Sequence, residues 1–307
     1  MNIQQIKPAG LDGRVPPGPV LGEEKIDGHR ALFHFGHGLD RGYMTGRRVS
    51  KQTGLYTEKG ECVPHILNQA MRLVQKRCGY TVLDGELVLS GMNFESIQSV
   101  MGSSSQRAVD WQCANQLMEY VVFDVLFWNG IDIRTKPREA RFMVARAIVG
   151  KLRSPYIRLV EQRRLECRED RVQMFDEVTA AGGEGIVIKT INGKYGFGQR
   201  RLKVEKTFDV VITGFTDAKE GKTGKFKGLI GAVRFGAYRD GKMVELGKCS
   251  GMSDTLRRRF SSAKKEFLGQ VIEVKCNGIT RHGRLRHPQF KRFRPDKASE
   301  ECLAPAT

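Results

Sequence analysis

From Phe208 onward the sequence changes character, and that change limits the folds open to the chain more than any single motif does. FDVVITGF, GAVRFGAY, MVELGKCS and QVIEVKCNGIT are short, strand-like stretches separated by glycine-rich turns. One helical stretch, SDTLRRRFSSAKKEF, interrupts them. Five or so short strands with one helix in about a hundred residues suit a small closed barrel of the oligonucleotide-binding (OB) type. Before this point strand-like and helix-like stretches are mixed. TVLDGELVL (81–89) and EYVVFDVLFW (119–128) are rich in apolar and β-branched residues and predict strands. Residues 66–76 and 137–149 carry apolar side chains at helical spacing. GMNFESIQSVM predicts a further helix, with Asn93 as its cap and Phe94, Ile97, Val100 and Met101 on one face. The expected architecture is therefore α+β over residues 1–206, a hinge near Lys206, and the barrel over residues 207–307.

Composition narrows the function classes. The chain has 307 residues, 40% of them hydrophobic, enough for two cores. It contains no apolar run of the roughly 18 residues that a membrane span needs. The stretch MNIQQIKPAGLDGR lacks an apolar signal core, so a cytoplasmic protein is expected. Its 52 basic and 34 acidic residues leave a net charge of +18, which points to a polyanionic partner, nucleic acid before an acidic membrane surface. Seven cysteines stand singly, with no C-x-x-C pair, which argues against a disulfide framework and against a structural zinc site.

The candidate chemistry begins in EEKIDGHRALFHF, Glu23 to Phe35. A lysine side chain is ordinarily protonated at neutral pH, and neighbouring positive charge or a metal ion exposes it as a nucleophile. A nucleophilic Lys25 therefore predicts companion cations and metal-holding carboxylates elsewhere. A solvated or salt-bridged lysine is the plainer reading of a string as short as K-x-D-G. The companions are present. In VLDGELV, strand alternation puts Asp84 and Glu86 on one face, away from Leu83 and Leu87. In EGIVIK, Glu184 and Lys189 bracket a strand, and Gly185 allows a close approach of backbone or ligand. Glu86 and Glu184 offer hard oxygen ligands to a divalent cation. Paired strand-end carboxylates are the alternative for each taken alone.

In order, KIDGHR at Lys25, GRRVSKQTG at Arg47, DGELV at Glu86, FDVLF at Phe123, EGIVIK at Glu184, LKVEK at Lys203 and RHPQFKRFRPDK ending at Lys297 span nearly the whole chain. This ordered set resembles the small phage and bacterial ATP-dependent DNA ligases, members of the covalent nucleotidyltransferases that also include RNA ligases and mRNA capping enzymes. The resemblance implies a nucleotidyltransferase (adenylation) domain built on antiparallel sheets, followed by an OB-fold β-barrel domain. It implies that Lys25 attacks the α-phosphorus of ATP and becomes a lysine–AMP phosphoramidate, with Glu23 near the adenine. Arg30 is implied beside the phosphates or the 5′-phosphate of a nick, and Arg47 and Glu86 at the ribose or the metal region. Phe123 is implied to stack on the adenine, and core packing within VVFDVLF is compatible with that role. Glu184 is implied as a metal ligand, Lys189 and Lys203 at the α-phosphate, and Arg294 and Lys297 at the departing pyrophosphate.

The implied cofactors are ATP and magnesium, with manganese able to stand in. The implied partner is nicked double-stranded DNA, with no membrane, and a monomer is expected. The chain departs from the family's K-x-K pattern at LKVEK, where Glu205 occupies the second lysine position on the strand face of Lys203. The basic stretch KEGKTGKFKG and the arginines of RRRF are candidate phosphate contacts. An RNA ligase, a capping-type nucleotidyltransferase and a non-catalytic DNA-binding relative are the competing readings.

Overall fold

The computed structural model describes residues 9–10, 18–37, 39, 42–49, 56–58, 60–68, 78–92, 94–203, 206–218, 226–280 and 282–305. The chain divides into two compact units, Met1–Lys203 and Val204–Thr307. In the first unit the strands are β1 (Ala9–Gly10), β2 (Val20–Glu24), β3 (His29–Phe35), β4 (Tyr43–Val49), β5 (Tyr56–Glu58), β6 (Thr81–Val88), β7 (Glu119–Trp128), β8 (Ile131–Asp132), β9 (Ile157–Leu159), β10 (Gln162–Leu165), β11 (Gly185–Thr190) and β12 (Gln199–Lys203). Its helices are α1 (64–68), α2 (Phe94–Gly102), α3 (Ser105–Ala114), α4 (Arg138–Leu152) and α5 (Arg168–Ala180).

These strands form two sheets. One has the order β1-β12-β11-β2-β10; the other runs β5-β4-β3-β6-β7-β8, with β9 beside β7. Most pairings are antiparallel; β1–β12 and β7–β9 are parallel. Each sheet buries one face under helices. Val20, Ile186 and Ile188 pack with Leu165 and with Met174 of α5. On the other sheet Ala31, Phe33, Leu83, Leu87 and Val122 join Ile97, Met101, Ala145 and Ile148 from α2 and α4 in the largest core. The opposite faces of the two sheets carry the polar residues of interest. Period-two alternation does this sorting: Glu23 and Lys189 fall on the face that Ile186 and Ile188 avoid, as Arg30 and Asp84 fall on the face that Phe33 and Leu83 avoid.

The alternation breaks at one place that matters. Asp84 pairs with Asp124 but the next residue, Gly85, pairs with Val122, so Phe123 is an extra residue in β7. A bulge of this kind re-aims a side chain. Here it sends the consecutive residues Phe123 and Asp124 to the same side of the sheet, where strict alternation would separate them. Gly85 accommodates the crowding opposite: a Cβ there would lie 2.6 Å from the Val121 carbonyl oxygen and 2.7 Å from the Tyr120 ring. Gly85→Ala is expected to lower stability by about 1–3 kcal/mol through this overpacking, read as a shift in the urea midpoint. An unchanged midpoint would show that the bulge relaxes freely.

His34 is buried on β3, with Nδ1 2.9 Å from the Tyr80 hydroxyl and Nε2 3.0 Å from Thr45 Oγ1. Burial pushes its pKa from an ordinary 6.5 down to about 4. The unfolded chain therefore binds a proton between these values that the folded chain refuses, so stability rises with pH across that window and falls on acidification. His34→Gln keeps hydrogen-bonding groups and is expected to remove about 3 kcal/mol of acid-dependent loss between pH 6.5 and 4, measured by unfolding at several pH values.

The second unit contains β13 (Lys206–Asp217), β14 (Ile230–Arg239), β15 (Lys242–Cys249), β16 (Val271–Cys276) and β17 (Gln289–Phe293), with α6 (Asp254–Ser262) and α7 (Lys264–Phe267) between β15 and β16. The order is β15-β14-β13-β16-β17, all antiparallel. The two edges meet at a parallel bridge between Ser250 and Gln289, with the Phe290 N–H donating to the Ser250 carbonyl at 2.8 Å. This closes the sheet into the five-stranded barrel of the OB fold. Phe260 of α6 is fully buried and packs against Phe215, Phe267, Phe290 and Phe293.

Several elements differ from the sequence expectation. The helix expected over 137–149 runs Arg138–Leu152, three residues further, and stops where Arg153 turns left-handed (φ 46°). The stretch 253–267 is two helices broken at Ala263. Helices α3 and α5 lie outside the sequence expectation; their apolar stripes are narrow, Ala108 and Trp111 in SQRAVDWQCA and Met174, Phe175 and Val178 in REDRVQMFDEVTA. Of the helix expected over 66–76, residues 69–76 lie outside the described residues, as does Asn93.

Candidate active site

Lys25 follows β2 directly, and its backbone N–H donates to the Gly185 carbonyl at 2.8 Å. Gly185 has φ 139°, and a Cβ there would lie 2.1 Å from the Leu202 carbonyl, so only glycine lets β12 and the Lys25 backbone close on this point. The Lys25 ammonium forms an ion pair with the Glu184 carboxylate, and both side chains are about four-fifths buried (22% and 23% exposed). Strand pairing sets Lys203 opposite Gly185 and Arg201 opposite Val187, on the sheet face that carries Glu23 and Lys189.

Deeper on that face, Glu23 and Lys189 form a buried ion pair. Burial alone would raise the Glu23 carboxyl; the Lys189 and Arg138 cations outweigh it and hold the group below its ordinary value. Burial, aided by the Arg138 charge, pushes the Lys189 ammonium down to about 8 against the pull of Glu23 and Asp124. Arg138, at the start of α4, joins the two sheets. Its guanidinium donates to Glu23 on β2 and to the Asp124 carboxylate and Phe123 carbonyl on β7. Arg141, one helical turn on, donates to Asp124 through Nε and Nη2, both at 2.9 Å. Three buried cations thus face two buried carboxylates, and the surplus positive charge suits an anionic ligand.

Phe123 stands between the sheets. The Arg30 guanidinium lies 5.3 Å and the Lys189 ammonium 5.0 Å from its ring centroid. Arg30 forks onto Asp84, with Nε at 3.0 Å and Nη2 at 2.6 Å. The Tyr195 hydroxyl donates to the same carboxylate at 2.7 Å. Glu86 pairs across the strands with Arg30. The arrangement can present a flat ring, a cluster of cations and an amine–carboxylate pair to one ligand.

The structure thus groups Lys25 with Glu184, Glu23 with Lys189, and Phe123 with Arg30 and Lys189. Arg47 lies on β4, and its side chain is outside the described residues, as is Glu205. Lys206 opens β13 and pairs with Cys276 in the barrel. Arg294 and Lys297 belong to the second unit, where both hold Asp209: Arg294 Nη1 at 2.9 Å and Lys297 Nζ at 2.7 Å. Arg294 also binds Asp296 through Nη2 at 2.8 Å. Of the candidate phosphate contacts, residues 219–225 are outside the described residues. Arg257 is turned inward: it donates to the Ile230 and Gly231 carbonyls and covers the Phe226 ring at 4.5 Å. Arg258 and Arg259 stay exposed.

Sequence reasoning missed Arg138, Arg141, Asp124, Tyr195 and Gln162, which also donates to Glu23. The available signals were an aspartate inside an apolar strand and two arginines spaced i, i+3 at a helix start.

The family described as "ATP dependent DNA ligase domain" matches residues 13–206, and the one described as "DNA ligase OB-like domain" matches residues 220–294. The chain belongs to the ATP-dependent DNA ligase family. Among its ligase relatives, a probable DNA ligase of Streptomyces griseus is 26% identical over 316 residues, covering 93% of this chain and 58% of that protein. DNA ligase B of Mycobacterium tuberculosis is 27% identical over 328 residues, covering 94% of this chain and 62% of that protein. The chain therefore spans somewhat over half the length of these curated ligases. A solved structure described as "DNA binding with a minimal scaffold: Structure-function analysis of Lig E DNA ligases" shares the fold, with a TM-score of 0.67 at 19% identity over 96% of this chain and 99% of that one. Among the described residues no helix is long and apolar enough to cross a membrane.

Proposed function

We propose that the chain is an ATP-dependent DNA ligase that seals nicks in duplex DNA as a monomer. The observation that carries this reading is the meeting of Lys25 with Glu184, on the sheet that also presents Lys189 toward the Phe123 ring. In the first step Lys25 Nζ attacks the α-phosphorus of ATP. A P–N bond forms, the bond to the β-phosphate breaks, pyrophosphate leaves and the amine loses its proton. An oxygen of the 5′-phosphate at the nick then attacks the same phosphorus, and the lysine is released. Finally the 3′-hydroxyl attacks the activated 5′-phosphate and AMP departs. Positioning and fixed positive charge supply much of the catalysis in such transfers.

The residues present fit both small partners. The half-buried Phe123 ring, with two cations beside it, suits a purine bearing phosphates. Magnesium keeps several waters and takes one or two carboxylates plus substrate phosphates. Glu184 and Glu86 are the carboxylates offered, and among the described residues no three His, Cys, Asp or Glu side chains gather into a closed cage. Magnesium bound there would neutralise phosphate charge in the transition state.

The test is incubation with α-labelled ATP and magnesium, followed by transfer to a nicked duplex. Label that enters the protein and then appears on the 5′ end of the nick is the expected result. Protein that takes no label overturns the reading, and label transferred only to RNA ends moves it to RNA ligation.

A further inference from the structure

We infer that the turn between β11 and β12, which carries the exposed Phe197 close to the start of β12, is a contact surface for duplex DNA. The inference rests on the ligase reading and assigns a surface to its substrate. Phe197 is 71% exposed, unusual for a large apolar side chain in a short turn. The turn that presents it is held firmly. Gly196 (φ 82°) and Gly198 (φ 63°) flank it in left-handed conformations. The Phe197 N–H donates to the Lys194 carbonyl at 3.0 Å, and the Thr190 N–H donates to the Gly198 carbonyl at 3.0 Å. Between them Tyr195 is buried, with its N–H on the Arg134 carbonyl at 2.9 Å and its hydroxyl on Asp84. An aromatic ring held in advance loses little freedom on binding.

The charge along the hairpin selects the partner. Lys194 lies in the turn and Arg200 just beyond it, Arg201 and Lys203 continue along β12 toward Lys25, and residues 191–203 (INGKYGFGQRRLK) contain no carboxylate. An apolar ring at the head of a row of cations matches a partner that offers apolar sugar and base edges beside regular negative charge, as duplex DNA does. A second copy of this chain is a poor match, because both carry a net charge of +18. Geometry links the turn to the reaction site. β11 runs from Glu184 to this turn over six residues, Gly185–Thr190. That is about 20 Å of strand, or roughly six base-pair steps along a duplex. DNA with its nick at Lys25, lying along this hairpin, reaches Phe197 within the flanking duplex.

The experiment measures binding of a fluorescent nicked duplex without ATP, at several salt concentrations, with adenylylation from labelled ATP followed separately. Phe197→Ala is expected to weaken DNA binding about tenfold with the salt slope unchanged, because an apolar ring packed against sugars and groove edges releases no counterions. Phe197→Trp is expected to restore binding, and both variants to adenylylate as the parent does. Lys194→Ala is expected to lower the slope of log K against log salt by about 0.9, the signature of one phosphate contact. Phe197→Ala that binds DNA like the parent overturns the inference. So does a loss of affinity accompanied by equal loss of adenylylation or a lower melting temperature, which marks a structural role. A parent protein that sediments as a dimer dissolved by Phe197→Ala also overturns it and assigns the ring to self-association. If the parent takes no label from ATP the ligase reading fails, whatever Phe197 does.

Discussion

Arg138→Ala is expected to destabilise the first unit by about 3–5 kcal/mol, the cost of breaking a buried ion pair from one side. The arginine is 1% exposed and donates to three acceptors on two different sheets: Glu23, Asp124 and the Phe123 carbonyl. Removing it leaves those oxygens short of donors where water does not reach, and leaves a cavity the size of the side chain. The loss should appear as a lower urea midpoint for the first unit. Arg138→Lys should rescue little, since one ammonium cannot match the guanidinium fork that spans both sheets. A midpoint within about 1 kcal/mol of the parent would show that the two sheets are held by their apolar contacts alone. The cluster also sets the charge of Lys189: with Arg138 gone, one of the influences that depress the Lys189 ammonium disappears and its pKa should rise above about 8, observable by NMR titration if the variant stays folded.

Lys25→Ala is expected to abolish covalent labelling by α-labelled ATP altogether, because no other group can form the same P–N bond at that point. Some stability should be lost, though less than for Arg138→Ala: the Lys25–Glu184 pair is about one-fifth exposed, so the Glu184 carboxylate left behind keeps access to water. The variant should still seal a nick whose 5′-phosphate already carries AMP, since that last step uses the 3′-hydroxyl and not the amine. This separates loss of the nucleophile from collapse of the site. Label that persists in Lys25→Ala removes Lys25 from the reaction; loss of both labelling and sealing of the pre-activated nick points instead to a disrupted site.

Much of the fold was legible in the sequence because its signals are local. EYVVFDVLFW is a strand over the residues expected, and the four strands read after Phe208 are all present, since β-branched runs between glycine turns carry their own instruction. The fifth strand, Gln289–Phe293, was obscured by its basic residues. The polar helices α3 and α5 were obscured because only two side chains are buried on each and one of the two is polar, Gln112 beside Ala108 on α3 and Arg171 beside Met174 on α5. The residues quoted around Lys25 and Glu184 stood out as short strings, and the pairing of β2 with β11 sets those strings side by side.

What the sequence determined by itself was which residues alternate, where the most apolar strands lie, and that the chain carries a large surplus of cations. Only the tertiary structure decided that Phe123 and Asp124 point the same way, because a bulge is set by the register of a neighbouring strand. It alone decided that Arg138 is buried while Arg258 and Arg259 remain in water. Nothing within a few residues of an arginine states whether acceptors from two sheets will converge on it. Burial of a charge depends on partners distant in sequence, whereas alternation depends only on the next residue along.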